Sequence, residues 1–253
     1  MLRVEQSGPV LTITLDRPER RNSQAPSLWT ALAEVGEHLP PDARVVVIRA
    51  EGPSFSAGLD RAMLTPQGAP GEPSILALAA GVAGPLEEAI AQFQRGFAVW
   101  SKVAAITIAA VQGHAIGAGF QLALACDLRV VADDVAFAMR ETSLGLVPDL
   151  AGTSPLVRSV GYARALEICV TGRFVGAQEA VAIGLASVAV PRQDLDSTAR
   201  DLADAILQAP QAAVRELKPL LRNAIDASRM DQLKAERKAQ ARLLAAMVAG
   251  SGK

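Results

Sequence analysis

The chain is poor in the residues that usually advertise chemistry. Its 253 residues include two histidines, His38 and His114, and two cysteines, Cys126 and Cys169. Two histidines cannot build a typical metal site and offer no obvious nucleophile–base triad, so no metal is expected. The cysteines are isolated, which fits small buried hydrophobes in a reducing compartment. Lys and Arg number 25 against 26 Asp and Glu, a net charge of −1 with no basic run, which argues against a nucleic-acid partner. No uninterrupted apolar run reaches membrane-spanning length, although Ala-rich segments raise the mean hydropathy, so no membrane partner is expected. The N-terminus alternates and carries charges, unlike a signal peptide, and a cytoplasmic location follows as the expectation. There is no solenoid repeat, and no early strand–turn–helix carries a Gly-x-Gly-x-x-Gly fingerprint. Chemistry in this chain must rest on carboxylates and backbone.

What the chain does have is apolar substance and glycine-bearing turns. Half the residues are hydrophobic, enough for one large domain or a domain with an appended subdomain. Val10–Leu15 alternates as a strand, and Asp16–Asn22 reads as a polar turn. Leu28, Leu32, Val35 and Leu39 share one helical face, which Pro40-Pro41 ends. Arg44–Arg49 reads as a second strand. The stretch Met63–Gly84, rich in Ala, Gly and Pro, predicts a mobile or irregular lid-like loop. Leu86–Val103 returns to helical spacing, with Ile90, Phe93, Phe97 and Trp100 on a core-facing side. Leu128–Ala132 and Val135–Phe137 read as short strands, and Arg140–Thr153 as mostly loop. Helices dominate thereafter, with three candidates between Leu195 and Val248. The pattern is that of an α/β protein with a covered sheet.

The organising stretch is Gly113–Asp127. An apolar segment, Ala104–Val111, precedes it as a buried strand, and Phe120–Cys126 follows as a short helix. Between them lie Gly117, Ala118 and Gly119. Glycines at a strand-to-helix turn let backbone N–H groups approach a ligand, and the helix N-terminus favours an anion there. Three readings compete: a tight packing turn, a dinucleotide-binding turn whose spacing does not match, and half of an oxyanion hole. The third needs a second donor. Ala57-Gly-Leu-Asp60 also follows an apolar strand, and if the two strands are neighbours the turns open at one end of a sheet.

Phe55-Ser-Ala-Gly-Leu-Asp60, Gly113-His-Ala-Ile-Gly-Ala-Gly119, Ala-Cys-Asp127-Leu-Arg-Val-Val-Ala132, and Gly145-Leu-Val-Pro148 with Gly152 resemble the crotonase (enoyl-CoA hydratase/isomerase) family. The resemblance extends to Asp16-Arg-Pro…Asn22 and to Ala177…Ala180…Gly184-Leu, and so covers nearly the whole chain. It implies an α/β fold, a crotonase-like spiral of ββα units over 1–190, with a C-terminal helical trimerisation region over 191–253. It implies a homotrimer or a dimer of trimers. It implies an acyl-CoA thioester as substrate. No cofactor is called for, since coenzyme A is part of the substrate and the thioester itself acidifies the α-carbon.

The family's oxyanion donors map onto the backbone N–H groups of Leu59 and Ala118. Ala57, Gly58, Asp60, Gly117 and Gly119 fall at substrate-binding positions. Hydratases that this chain resembles carry two glutamates. The first position here is Gln121, which can orient water but cannot take its proton. The second matches Glu141, whose burial would raise its pKa towards the operating pH. Family isomerases keep only the second. Asp149 stands where some isomerases of the family carry an aspartate; it reads equally as a second acid/base group or as a Pro-Asp turn residue. The reading favoured is a double-bond isomerase using Glu141. The alternatives are a hydratase in which Gln121 positions water, and a non-catalytic acyl-CoA-binding protein.

Overall fold

A tight turn at Gly8 joins β1 (Leu2–Ser7) to β2 (Val10–Leu15) as an antiparallel pair in the computed structural model, which describes residues 1–72, 74–81 and 85–250. The remaining elements follow in order: α1 (Pro26–Glu37), β3 (Val45–Ala50), α2 (Ile75–Ala79), α3 (Leu86–Lys102), β4 (Ile106–Val111), β5 (His114–Ile116), α4 (Ala118–Ala125), β6 (Leu128–Ala132) and β7 (Ala136–Ala138). Then come α5 (Thr153–Val160), α6 (Tyr162–Thr171), β8 (Val175–Gly176), α7 (Ala177–Ala182), β9 (Val188–Val190), α8 (Leu195–Gln208), α9 (Gln211–Asn223) and α10 (Arg229–Gly250).

The large sheet runs β1-β2-β3-β4-β6-β9, parallel from β2 onward, and a small sheet runs β5-β7-β8. The chain lays one strand in the large sheet and the next in the small one, β4 then β5 and β6 then β7, before each helix. This is the expected spiral of ββα units. β3 and β4 are direct parallel neighbours, Val45 opposite Ile106 through Ile48 opposite Ala109. Their C-terminal ends therefore lie side by side. Gly58 comes from the segment after β3, while Gly117 follows β5, the short strand of the small sheet that comes after β4, and not β4 itself as the sequence suggested.

Strands covered on both faces should be almost wholly apolar, and β3 and β4 are. Val45, Val46, Ile48, Ile108, Ala109, Ala110 and Val111 are all fully buried. Helices α1 and α3 pack together through Trp29, whose ring centroid lies 5.0 Å from Phe93 and 6.0 Å from Phe97. Each buried indole finds an acceptor: Trp29 Nε1 donates to Gln24 Oε1 at 2.8 Å and Trp100 Nε1 to Gly96 O at 2.9 Å. The aromatic side of α3 is core, as its spacing predicts.

Two expectations are corrected in part here. Among the described residues Met63–Gly84 is irregular over 65–72, as expected, but it is anchored on either side. Asp60 caps a 3₁₀ turn at Arg61–Leu64, and Ser74 Oγ caps α2 by accepting from Leu76 N and Ala77 N. Met63 is fully buried and Ala69 nearly so, packed with Ala25. The lid reading at Pro73 and 82–84 lies outside the described residues. Cys169 is only half-buried, whereas Cys126 is buried as expected.

Two compact units divide the chain at Met1–Ala203 and Asp204–Lys253. The boundary falls later than 190/191 because α8 buries Leu195, Ala199 and Ala203 along its first part. Within the second unit, α9 and α10 are tied by the Arg242–Glu216 ion pair and by Gln232 Nε2 donating to Leu220 O.

Candidate active site

All the candidate residues lie in the first unit. The first turn, after β3, is held by buried polar side chains. Ser56 Oγ accepts from Gly58 N at 3.1 Å and Gln24 Nε2 at 3.0 Å, and donates to Asn22 O at 2.7 Å. Asn22 Nδ2 in turn donates to Glu51 O at 2.8 Å and Ser54 O at 2.9 Å. Ala57 N donates to Arg21 O, so the turn is sewn to the polar segment after β2. Gln24 N donates to Gly58 O and Gln24 O accepts from Asp60 N, a parallel bridge centred on Leu59. In such a bridge the middle residue's own N–H points to the other side. Among the described residues the Leu59 N–H has no protein partner.

The second turn, Gly117 into α4, sits against the first. Gly58 has φ +84°, and a Cβ there would stand 2.4 Å from Ile116 O and 3.6 Å from Ala118 N. Only glycine lets the two backbones approach so closely. Gly117 has φ +52° and donates its N–H to Ala138 O at 2.9 Å. Ala118 opens α4, so its N–H has no acceptor within the helix. Gly119 follows in the first helical turn, against Ser56. Two backbone N–H groups thus lie on adjoining turns, the N-terminus of an almost wholly buried helix beside them.

The acid/base candidates come from a third segment. Glu141 begins a 3₁₀ turn just after β7, and its carboxylate lies over Gly117: a Cβ there would be 3.2 Å from Glu141 Oε1. Burial raises its pKa; hydrogen bonds, Gln121's among them, offset part of that, and the charge of Asp149 adds to the rise. Glu141 Oε2 is buried with no hydrogen-bond partner among the described residues. Asp149 is half-buried, its pKa raised by burial, and its backbone carbonyl accepts from Gln94 Nε2 on α3 at 2.8 Å.

Gln121 is buried, 1% exposed, and engaged at both ends of its amide. Nε2 donates to Glu141 Oε1 at 2.7 Å, while Oε1 accepts from Leu150 N at 2.8 Å and Gly152 N at 3.3 Å. Between those two N–H groups Ala151 adopts φ +63°, a left-handed conformation uncommon outside glycine. The structure therefore brings Glu141, Gln121, Gly117, Gly119 and Ala118 together, with Gly58 and Leu59 beside them. Asp60 is placed differently: its carboxylate caps the Arg61–Leu64 turn, accepts from Ser23 Oγ and pairs with Arg17 at 3.8 Å. Sequence reasoning missed Ser56, Gln24 and Gln94. Asn22 stood in a noted turn, but nothing there foretold its two carbonyl contacts.

Two backbone N–H groups on adjoining turns and a buried carboxylate over Gly117 are the parts that an oxyanion hole beside an acid/base group would need. Residues 5–249 match the family described as enoyl-CoA hydratase/isomerase, and the chain belongs to that family. A Mycobacterium bovis protein, echA8, named as an enoyl-CoA hydratase, is 33% identical over 240 residues, covering 93% of this chain and 86% of its own. The carnitinyl-CoA dehydratase of Citrobacter koseri is 35% identical over 231 residues, covering 87% and 80%. Among solved structures, a Thermobifida fusca YX protein assigned by name to the enoyl-CoA hydratases superposes with a TM-score of 0.92 when in complex with acetoacetyl-CoA. It is 44% identical and covers 96% of this chain and 94% of that one. A complex of the same protein with CoA gives a TM-score of 0.92 at 43% identity, covering 98% and 94%. The crotonase fold is thereby shown for this chain.

Proposed function

We propose that this chain is an enoyl-CoA double-bond isomerase. The observation that carries the reading is the asymmetry of the acid/base groups. The helix after the glycine turn offers Gln121, whose amide oxygen is occupied by two backbone N–H groups and which donates to Glu141. It is poorly placed to activate water. Glu141 retains one oxygen uncommitted among the described residues.

In this mechanism a 3-enoyl-CoA thioester lays its carbonyl oxygen between the N–H groups of Leu59 and Ala118. The Glu141 carboxylate takes a proton from C2, and the electrons move into the carbonyl to give an enolate. The two N–H groups stabilise that oxyanion; losing one such donor typically costs about 3–4 kcal/mol of barrier. Neutral Glu141 then returns the proton to C4, and the double bond comes to rest between C2 and C3. One carboxylate suffices, and atoms balance without water or cofactor. The bound relatives support the ligand class, since the Thermobifida fusca protein was crystallised with acetoacetyl-CoA and CoA.

Hydration is the second reading. It is favoured by the names of the relatives, hydratases and a dehydratase, and by Asp149, a second carboxyl whose charge reaches Glu141. Here Asp149 or Glu141 would handle protons. The deciding experiment incubates the protein with 3-enoyl-CoA and 2-enoyl-CoA esters in ¹⁸O water. Isomerisation gives the conjugated thioester chromophore without ¹⁸O at the β-carbon; ¹⁸O incorporation as the main reaction overturns it. Glu141→Gln should lower kcat about 10²- to 10⁴-fold, the usual worth of a positioned acid/base.

A homotrimer or dimer of trimers completes the proposal. Tyr162, Val170 and Phe174 on one unit and Leu221, Ile225 and Met247 on the other are largely exposed apolar groups of the kind a subunit contact covers. Light-scattering mass distinguishes trimer and hexamer from monomer.

A further inference from the structure

Gln121 stands where a site residue could be dismissed as a lost carboxylate. Its contacts say otherwise. Amide oxygen and nitrogen are easily confused in a structure, but here the partners decide. Leu150 N and Gly152 N are both donors, and only the oxygen can meet them. The NH₂ group is therefore turned to Glu141 Oε1, 2.7 Å away. An oxygen that accepts this bond keeps its lone pair engaged, so the proton of a neutral Glu141 belongs on Oε2. Among the described residues Oε2 is also the oxygen without a protein partner.

The other end of the amide is equally specific. Leu150 N and Gly152 N converge on one oxygen because Ala151 between them turns left-handed, φ +63°, followed by Gly152 at φ −81°, ψ −20°. Two N–H groups of one turn thus hold a single amide oxygen from both sides. Any Cβ at Gly152 would strike Gln121 Cγ at 2.6 Å, so the glycine is part of the same arrangement. The turn that grips Gln121 also carries Asp149, whose backbone carbonyl is held by Gln94 from α3.

We propose that Gln121 is a positioning residue: it fixes the Glu141 carboxylate with Oε1 bound and Oε2 free to carry the proton, and it ties that carboxylate to the 149–152 turn. This rests on the reading of Glu141 as the proton shuttle. Two substitutions separate the two ends of the amide. Gln121→Met keeps the length and loses both contacts. Gln121→Glu keeps an acceptor for the Leu150 and Gly152 N–H groups and loses only the donor to Glu141. A carboxylate there would face Glu141 directly, and the pair would hold one proton between them.

The test uses protein labelled with [5-¹³C]glutamate and needs no turnover. The Glu141 signal is assigned by its absence in Glu141→Gln. It is expected to titrate higher in Gln121→Met than in the wild type, because a bond to the charged form is lost. In Gln121→Glu the coupled pair is expected to keep its last proton to a still higher pH. With 3-enoyl-CoA, both variants should lose about 10- to 100-fold in kcat while KM changes little, as expected for misplacement of a reacting group. In both, the acidic limb of the kcat profile should move up.

An unchanged Glu141 titration in Gln121→Glu, with native melting behaviour, overturns the proposal and leaves Gln121 as an anchor of the turn alone. If Gln121→Met does not fold, Gln121→Glu carries the test. If the wild type turns over no 3-enoyl-CoA, the isomerase reading falls, while the titration still decides the role of Gln121.

Discussion

The two glycine turns present the same chemical group, an outward backbone N–H, yet they are held by opposite means. The turn at Gly58 is fixed by a buried polar net of Asn22, Gln24 and Ser56, almost all of it bonded to main chain. The turn at Gly117 is fixed by burial: every residue of α4 from Ala118 to Leu124 is buried, and Gln121 is its one polar side chain. A hydrogen-bonded turn keeps its direction through bond geometry, a packed one through lack of space. Each solution leaves one N–H unspent. Neither turn supplies the carboxylate, which comes from a third segment lying over Gly117.

Four substitutions would break or sharpen that contrast. The largest effect is expected at Gly58→Ala. Its φ of +84° penalises any side chain, and the new Cβ would meet a main-chain carbonyl, Ile116 O, at 2.4 Å. We expect roughly 2–5 kcal/mol of lost stability in denaturant melts, with activity falling alongside. Ser56→Ala should cost roughly 1–3 kcal/mol, because it strands the partners of three buried bonds. A loss of only a few tenths would mean the polar net is not what holds the first turn.

Gly117→Ala should be somewhat milder in stability, roughly 1–3 kcal/mol, since φ +52° with ψ −116° is a sparsely populated region for an L-residue. The atom it meets, Glu141 Oε1 at 3.2 Å, ends a side chain that can yield. Its signature is kinetic: the displaced carboxylate should lower kcat more than the stability loss explains. The smallest effect is on stability in Glu141→Gln. A carboxyl whose folded pKa is raised holds its proton to higher pH in the folded chain than in the unfolded one. Stability is therefore lost as pH rises through that raised value. Glu141→Gln should melt above the wild type at neutral pH, and the difference should close in acid, below the ordinary glutamate range. The wild type's activity should run the other way, falling as pH drops through the raised pKa, since the base must be ionised.

Much of this was legible in the sequence, and for definite reasons. Strands such as Arg44–Arg49 and Ala104–Val111 are continuous apolar runs because both faces are covered, so β3 and β4 emerged within a residue or two. The ordered glycine motifs carried the family, which fixes the pairing of β3 with β4 that periodicity alone leaves open. The short strands β5, β8 and β9, of two or three residues, were invisible because so few residues carry no period. Met63–Gly84 was read in part: its Ala, Gly and Pro mark the turns of 65–72, but not the buried Met63, Ser74 and Leu78 that anchor them. Glu141 was found as a position. Its two unequal oxygens were not, since they depend on Gln121 meeting Leu150 and Gly152 from a distant turn of the chain.

The order of strands has a consequence for how the protein comes into being. β3 and β4 are adjacent in the sheet but separated by α2 and α3 along the chain, and Glu141 lies further on still. A parallel pair cannot close until its crossover exists, and long-range pairings form slowly. A nascent chain stopped before β4 has one donor turn and nothing opposite it. One stopped before β7 has both turns and no base. The set of groups is thus assembled in steps and is complete only after β7.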